Sequence, residues 1–246
     1  MDKQSFYEKL DKALLENIGI TLDGKQKEQM FFLSEKLVET NKVMNLTAIV
    51  DEDGIILRHL VDSLLISGEI PQGATIIDVG CGGGFPTLPL AIFRQDVSIT
   101  AIDSTEKKIR YVQETADELG LSNVRAISAR AEELAHLPDY REQFDVATAR
   151  AVAALPVLCE ITLPFVKVGG SLVAMKAKDA RAELDASQRA ITTLCGKTAA
   201  SELIFTERTL SGFGIRENRA IINIKKMSKT PAAYPRKYAQ IKKLPL

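Results

Sequence analysis

Residues Ile76 to Pro89 read IIDVGCGGGFPTLP, an apolar run that ends in an acid and then breaks into Gly80, Gly82, Gly83 and Gly84. Glycines at this density permit positive φ and let the backbone approach a ligand with no Cβ in the way. Phe85 and Pro86 follow, and proline suits the first turn of a helix, where its missing N–H has no partner to lose. The segment predicts a buried strand, a tight turn with room for a ligand, and a helix start. In an open α/β sheet such a turn lies in the crevice at the carboxyl ends of the strands.

Outward from this turn the chain alternates. Strands are predicted at TIIDV, VSITAID (97–103), VRAISAR (124–130), FDVATAR (144–150), SLVAMKA (171–177), ELIFTER (202–208) and RAIINIK (219–225). Helical patterns fall at Pro86–Gln95, Thr105–Gly120, a short stretch after Ala131, Ala153–Val168 and Lys178–Cys195. The alternation predicts a doubly wound, mostly parallel α/β sheet of seven strands. Only SGFGIRE separates the last two strands, so they are expected to close one edge as an antiparallel hairpin. Before the sheet, apolar Met30, Leu33, Leu37, Val38 and Met44 recur at helical spacing, and Asp51 is placed to cap a helix over EDGIILRHLVDSLLI. The expected organisation is an N-terminal helical cap (1–70), a ligand-binding sheet domain (71–227) and a C-terminal tail (228–246).

Composition narrows the class. The 246 residues are 46% hydrophobic and 26% charged, which is ordinary for a soluble globular chain. Cys81, Cys159 and Cys195 lie far apart, and His59 and His136 have no paired cysteines, so neither disulfides nor a metal site is expected. No uncharged apolar run approaches membrane-spanning length and the start lacks a signal-peptide core, so a cytoplasmic, membrane-free protein is expected. The net charge of zero is uneven: residues 225–246 hold seven basic side chains and no acid, leaving 25 basic against 32 acidic in the rest. A basic end on an acidic body points to a polyanionic partner.

A glycine turn alone leaves several cofactors open. A phosphate-cradling loop needs Lys and Ser or Thr after its last glycine, where Phe85 and Pro86 stand. A dinucleotide turn wants a third glycine where Phe85 is. Asp78 before the turn favours a cationic ligand such as a sulfonium. Asp103, at the end of the second strand, is placed to accept from ribose hydroxyls, with Ser104 or Thr105 free to cap the next helix.

The pattern D-x-G-x-G-x-G followed by Asp103 resembles Rossmann-like S-adenosylmethionine-dependent methyltransferases. NKVMNLTAI, LRHLVDSLL, DVGCGGGFPTLPLAI, TARAV and YPRKYAQIKKLPL together resemble the small-subunit ribosomal RNA guanine-N(7) methyltransferases, also called the glucose-inhibited division protein B family. The resemblance runs from about Asn41 to Leu246 and implies S-adenosyl-L-methionine as cofactor. By that resemblance Gly80 and Phe85 hold the methionine part and line the pocket, and Asp78, Gly82 and Gly84 are also cofactor-binding. Asp103 and Ser104 face the ribose, Ala131 and Glu132 the adenine, and Arg150 the cofactor and acceptor. His59, in LRHLVDSLL with Asp62, is implied as a lining residue of the acceptor pocket. Where relatives carry Thr or Ser and Pro, this chain has Cys81 and Gly83, both small enough to leave the site open.

Under that reading no single catalytic residue is required. Guanine N7 carries an in-plane lone pair and no proton, so alignment and exclusion of water suffice. The exocyclic-amine run expected after the fourth strand is replaced by TARAV, and no Pro-Cys nucleophile occurs. Lys225, Lys226, Lys229, Arg236, Lys237, Lys242 and Lys243 are expected to meet RNA phosphates, and Tyr234 and Tyr238 to stack on an unpaired base. The expected partner is small-subunit ribosomal RNA or the subunit itself, met by a monomer. On this view, removing residues 228–246 abolishes RNA methylation and spares cofactor binding. A small-molecule methyltransferase, a non-catalytic binding module and a nicotinamide oxidoreductase are the alternatives.

Overall fold

A computed structural model describes residues 1–177, 179–196 and 202–246. Two helices come first, α1 (Lys3–Ile18) and α2 (Gly24–Met44). Asp23 and Gln26 cap α2 reciprocally, each side chain taking the other's backbone N–H. Asp51 caps the next segment, its Oδ1 accepting from Gly54 N at 2.7 Å. That segment is not one regular helix. Short turns α3 (Glu52–Gly54) and α4 (Asp62–Leu64) flank a π-helical stretch at Ile55–Val61.

The sheet and its helices follow in alternation. They are β1 (Thr75–Val79), α5 (Thr87–Phe93), β2 (Ser98–Asp103), α6 (Glu106–Glu118), β3 (Val124–Ser128) and α7 (Ala131–Leu134). Then come β4 (Phe144–Arg150), α8 (Leu155–Thr162), β5 (Val166–Lys176), α9 (Ala180–Ala186) and α10 (Gln188–Cys195). β6 (Leu203–Gly212), β7 (Ile215–Lys225) and α11 (Tyr238–Lys243) complete the chain. The strands lie in the order β3-β2-β1-β4-β5-β7-β6, with β7 antiparallel to both neighbours. The seven-stranded, mostly parallel sheet with its antiparallel edge hairpin is the architecture expected from the alternation.

Several boundaries differ from expectation. The pattern over Ala153–Val168 ends as a helix at Thr162, passes a 3-10 turn at Leu163–Phe165, and enters β5 at Val166. The helix expected over Lys178–Cys195 is two, divided at Ser187; Lys178 lies outside the described residues. SGFGIRE is mostly strand, because Phe213 (φ 54°) and Gly214 (φ 77°) make a two-residue turn with both φ positive.

Strand alternation sends the core to both faces. Ile76, Val146, Val173 and Ile221 join one apolar cluster with residues of α1, α2, the π-helical stretch, α5 and α6. Ile77, Ala147, Leu172, Ala174 and Ile222 join another with α7 to α11. The helices of residues 3–66 thus share one core with a face of the sheet. Among the described residues no helix is long and apolar enough to cross a membrane.

The C-terminal segment corrects the expectation of an extended, phosphate-binding tail. Lys226 is fully buried, and its ammonium donates to Glu142 Oε1 and to the carbonyls of Leu163 and Val166 at 2.8–2.9 Å. Arg236 donates through Nε and Nη2 to both oxygens of fully buried Glu160. Arg141 holds the carbonyls of Thr230, Pro231 and Tyr234, and Ile241 is buried in the core. Two of the seven expected phosphate ligands are therefore spent on folding, and loss of residues 228–246 strips a core face as well as a basic surface. Removing one partner of a buried pair strands the other charge, so Arg236→Ala is expected to cost about 3 kcal/mol. Melting should fall by roughly 6–12 °C while exposed Lys242→Ala leaves it unmoved; equal melting of the two variants would show that the segment only rests on the surface.

Candidate functional site

The strand order reverses between β1 and β4, and a cavity of about 490 Å³ opens there at their carboxyl ends. The glycine turn forms its floor. Gly80 N and Cys81 N donate to the Ile102 carbonyl at 2.8 and 3.0 Å, pinning the turn to β2. Gly80 has φ 74°, and a Cβ there would stand 2.7 Å from a Val152 methyl, so a larger residue would both strain the backbone and close the cleft. Asp103 divides its carboxylate between Gly82 N (3.2 Å) and Thr105 N (2.8 Å). It shapes the turn that leads into α6, whose N-cap residue Thr105 makes no side-chain capping bond.

Gly80, Gly82, Phe85, Asp103, Ser104, Ala131, Glu132, Arg150 and His59 all line the cavity. Two expected contacts do not. Asp78 is 1% exposed and accepts from Thr87 Oγ1 at 2.6 Å and Thr148 Oγ1 at 2.9 Å. It ties β1 to α5 and β4 beneath the turn instead of facing a cation. Gly84, with φ 88°, points inward, where a Cβ would meet Leu88 at 2.6 Å and Val112 at 3.4 Å. It seats a helix against the sheet, the role of the third glycine of a dinucleotide turn. Leu46, Thr47, Lys108, Arg130 and Tyr238 also line the cavity, and only Tyr238 among them carried a functional expectation.

The opposite wall is a stacked and paired cluster. The His59 ring lies on Phe85 with centroids 4.6 Å apart and planes 20° apart, and the Arg150 guanidinium stands 5.5 Å from the same ring. Arg150 Nη1 donates to Asp62 Oδ2 and to the Arg58 carbonyl, both at 3.0 Å. Asp62 Oδ1 accepts from Arg219 Nε at 2.8 Å, and Glu217 accepts from Arg219 and Arg58. Burial, with Arg150 and Arg58 nearby, pushes His59 down to about 3, so it is neutral at pH 7. Its Nδ1 faces the donor-only Arg150 Nη2 at 3.4 Å, which leaves the proton on Nε2, 2.9 Å from Thr47 Oγ1. Asn41 fixes Thr47 through two backbone bonds of 2.8 and 2.9 Å. Burial also raises the Cys81 thiol well above its ordinary value, so it is no nucleophile.

The π-helical stretch, β4 and β7 therefore meet at Asp62, and sequence reading missed Arg219, Glu217 and Arg58 as part of the site. Arginine inside the apolar strand RAIINIK was the available signal, since a charge there needs a buried partner. Of the basic C-terminal residues, Lys229, Lys237, Lys242 and Lys243 are exposed, and Lys225 lies 3.4 Å from Glu202. Tyr234 packs on the core beneath Arg236.

The family model for rRNA small subunit methyltransferase G matches residues 26–210. The chain belongs to that family. It is 43% identical to the ribosomal RNA small subunit methyltransferase G of Leuconostoc citreum, over 95% of this chain and 97% of that one. The proteins of the same name from Geobacillus thermodenitrificans and Clostridium perfringens are 41% and 38% identical, covering 96% and 98% of this chain and 97% and 99% of theirs. Among solved structures, the cyclase SpnF superposes with a TM-score of 0.55 at 16% identity, covering 85% of this chain and 98% of that one. That likeness concerns the fold alone.

Burial pushes the Asp78 carboxyl up to about 6, against hydrogen bonds from Thr87 and Thr148 that lower it. The folded protein then holds a proton that the unfolded chain releases near pH ~4. Its contribution is full below that pH and is lost as pH rises through 6, about 3 kcal/mol in all. Denaturant unfolding of wild type and Asp78→Asn from pH 4 to 7 should show the wild type losing stability relative to the variant. Parallel profiles would mean that Asp78 stays ionised throughout.

Proposed function

We infer that this protein transfers a methyl group from S-adenosylmethionine to N7 of a guanine in small-subunit (16S) ribosomal RNA. Family membership supports the reaction class, and one observation carries the mechanism. The titratable groups that face the cavity from the glycine turn and the Phe85 wall are already committed. Asp103 holds two backbone N–H groups, and neutral His59 has both ring nitrogens engaged. The site is built for positioning.

The cavity fits the cofactor. Gly80 and Gly82 leave backbone room for its methionine end, with Phe85 as an apolar wall. Asp103 and Ser104 lie where ribose hydroxyls need an acceptor, and Ala131 and Glu132 flank the adenine end. When bound, the cofactor supplies an electrophilic methyl that an unprotonated N7 lone pair attacks with no prior proton loss. The chain's own part is to hold Arg150 and His59 rigid against Phe85 and keep water from the reacting atoms. The protein acts as a cytoplasmic monomer, and exposed Lys229, Lys237, Lys242 and Lys243, with Lys225, meet RNA phosphates.

Labelled cofactor should transfer methyl to N7 of one guanine in small subunits from cells lacking the gene; absence of label in the RNA would refute the assignment. The rate should be flat between pH 6.5 and 8.5, because attack by an unprotonated N7 lone pair needs no base, whereas an ionisation near 7 would reveal one. Asp103→Ala should raise the cofactor Kd at least about tenfold by calorimetry; an unchanged Kd would place the ribose elsewhere.

A further inference from the structure

A second cavity, of about 550 Å³, lies beyond the Arg150 wall. His59, Arg150 and Ala151 line both cavities, so this wall is where two ligands would meet. Ala151 has φ 57°, a conformation that costs a non-glycine residue energy and recurs at ligand sites. The second cavity is lined by apolar Ile49 and Met175 and by charged Arg58, Asp62, Lys176, Glu217 and Arg219. Glu217 and Arg219 share a face of β7, two residues apart. Burial pushes the Glu217 carboxyl up, but hydrogen bonds from Arg219 and Arg58 outweigh it, leaving the group below its ordinary value. It is a carboxylate held in place by two cations.

Resting on the proposed reaction, we propose that this second cavity seats the acceptor guanine and that Glu217 reads its C2 amine through Oε2, since Oε1 is filled by Arg58 Nε and Nη2 while Oε2 accepts only from Arg219. A planar purine suits a cavity with apolar lining. Guanine carries an amine at C2 that a carboxylate oxygen accepts from; adenine has none there. With the C2 amine on Glu217, N7 lies across the ring toward the shared wall, with O6 beside it. Arg150 Nη2, which among the described residues makes only a long contact to His59 Nδ1, is placed to donate to O6 and leave N7 free.

The same contact strengthens as the reaction proceeds. The N7 lone pair forms the new N–C bond while the S–C bond breaks with its electron pair going to sulfur. The purine gains one positive charge, N1–H and N2–H become stronger donors, and the carboxylate holds the product-like ring more tightly than the neutral one. Glu217 is thus both a specificity and a catalytic residue.

The test compares single-turnover methylation of small-subunit RNA carrying guanine or inosine at the modified position, by wild type and Glu217→Gln. Inosine keeps N7, O6 and N1–H and lacks the N2 amine. Wild type should methylate inosine about tenfold more slowly, and Glu217→Gln should lose roughly ten- to hundredfold on guanine and bring the guanine-to-inosine ratio close to one. Affinity for S-adenosylhomocysteine should stay unchanged, since Glu217 does not line the first cavity. Equal wild-type rates on the two bases would overturn the proposal whether or not the variant folds. So would a Glu217→Gln enzyme that keeps both rate and ratio. Wild type that leaves guanine N7 unmethylated would instead refute the underlying reaction.

Discussion

The Asp62 carboxylate, 4% exposed, accepts from Arg150 through one oxygen and Arg219 through the other. Those arginines come from β4 and β7, and Asp62 itself from the end of the π-helical stretch. One acid thereby joins the N-terminal helices, the parallel half of the sheet and the antiparallel hairpin. An ion as buried as this is costly unless its lone pairs are filled, and here both oxygens are. The geometry that satisfies Asp62 also fixes where Arg150 can stand.

From that placement the site follows. Arg150 and His59 share the Phe85 ring, and Phe85 ends the glycine turn pinned to β2. Asn41 holds Thr47, and Thr47 Oγ1 accepts from the His59 Nε2–H, so helix α2 also bears on the wall. His59, Arg150 and Asp103, which line the cavity, are each held by hydrogen bonds to other parts of the chain. A reaction that needs no proton transfer gains most from such preorganisation. The commitment of His59 and Asp103 to structural partners is then consistent with function.

Much of this was legible in the chain. Strand alternation and the glycine turn gave the sheet and the crevice, with Asp103 on its lining, because local periodicity and backbone freedom determine them. Asp78 and Gly84 were misassigned to the ligand, since a motif fixes spacing but not the side of the turn to which a residue points. The tail was misread for a different reason. Seven cations without an acid nearby look solvated, and only tertiary contact shows Lys226 on Glu142 and Arg236 on Glu160. Asp62 with Arg219 is a pair separated by 157 residues, which no local pattern encodes.

The central claim is that Asp62 and Arg150 act as a unit that sets the reacting geometry. A double-mutant cycle on the single-turnover methyl-transfer rate tests it directly, using Asp62→Asn, Arg150→Met and the double variant. Strong coupling is expected: the double variant should be no slower than the slower single one, a coupling of about 1.5–3 kcal/mol. Losses that simply multiply would contradict it.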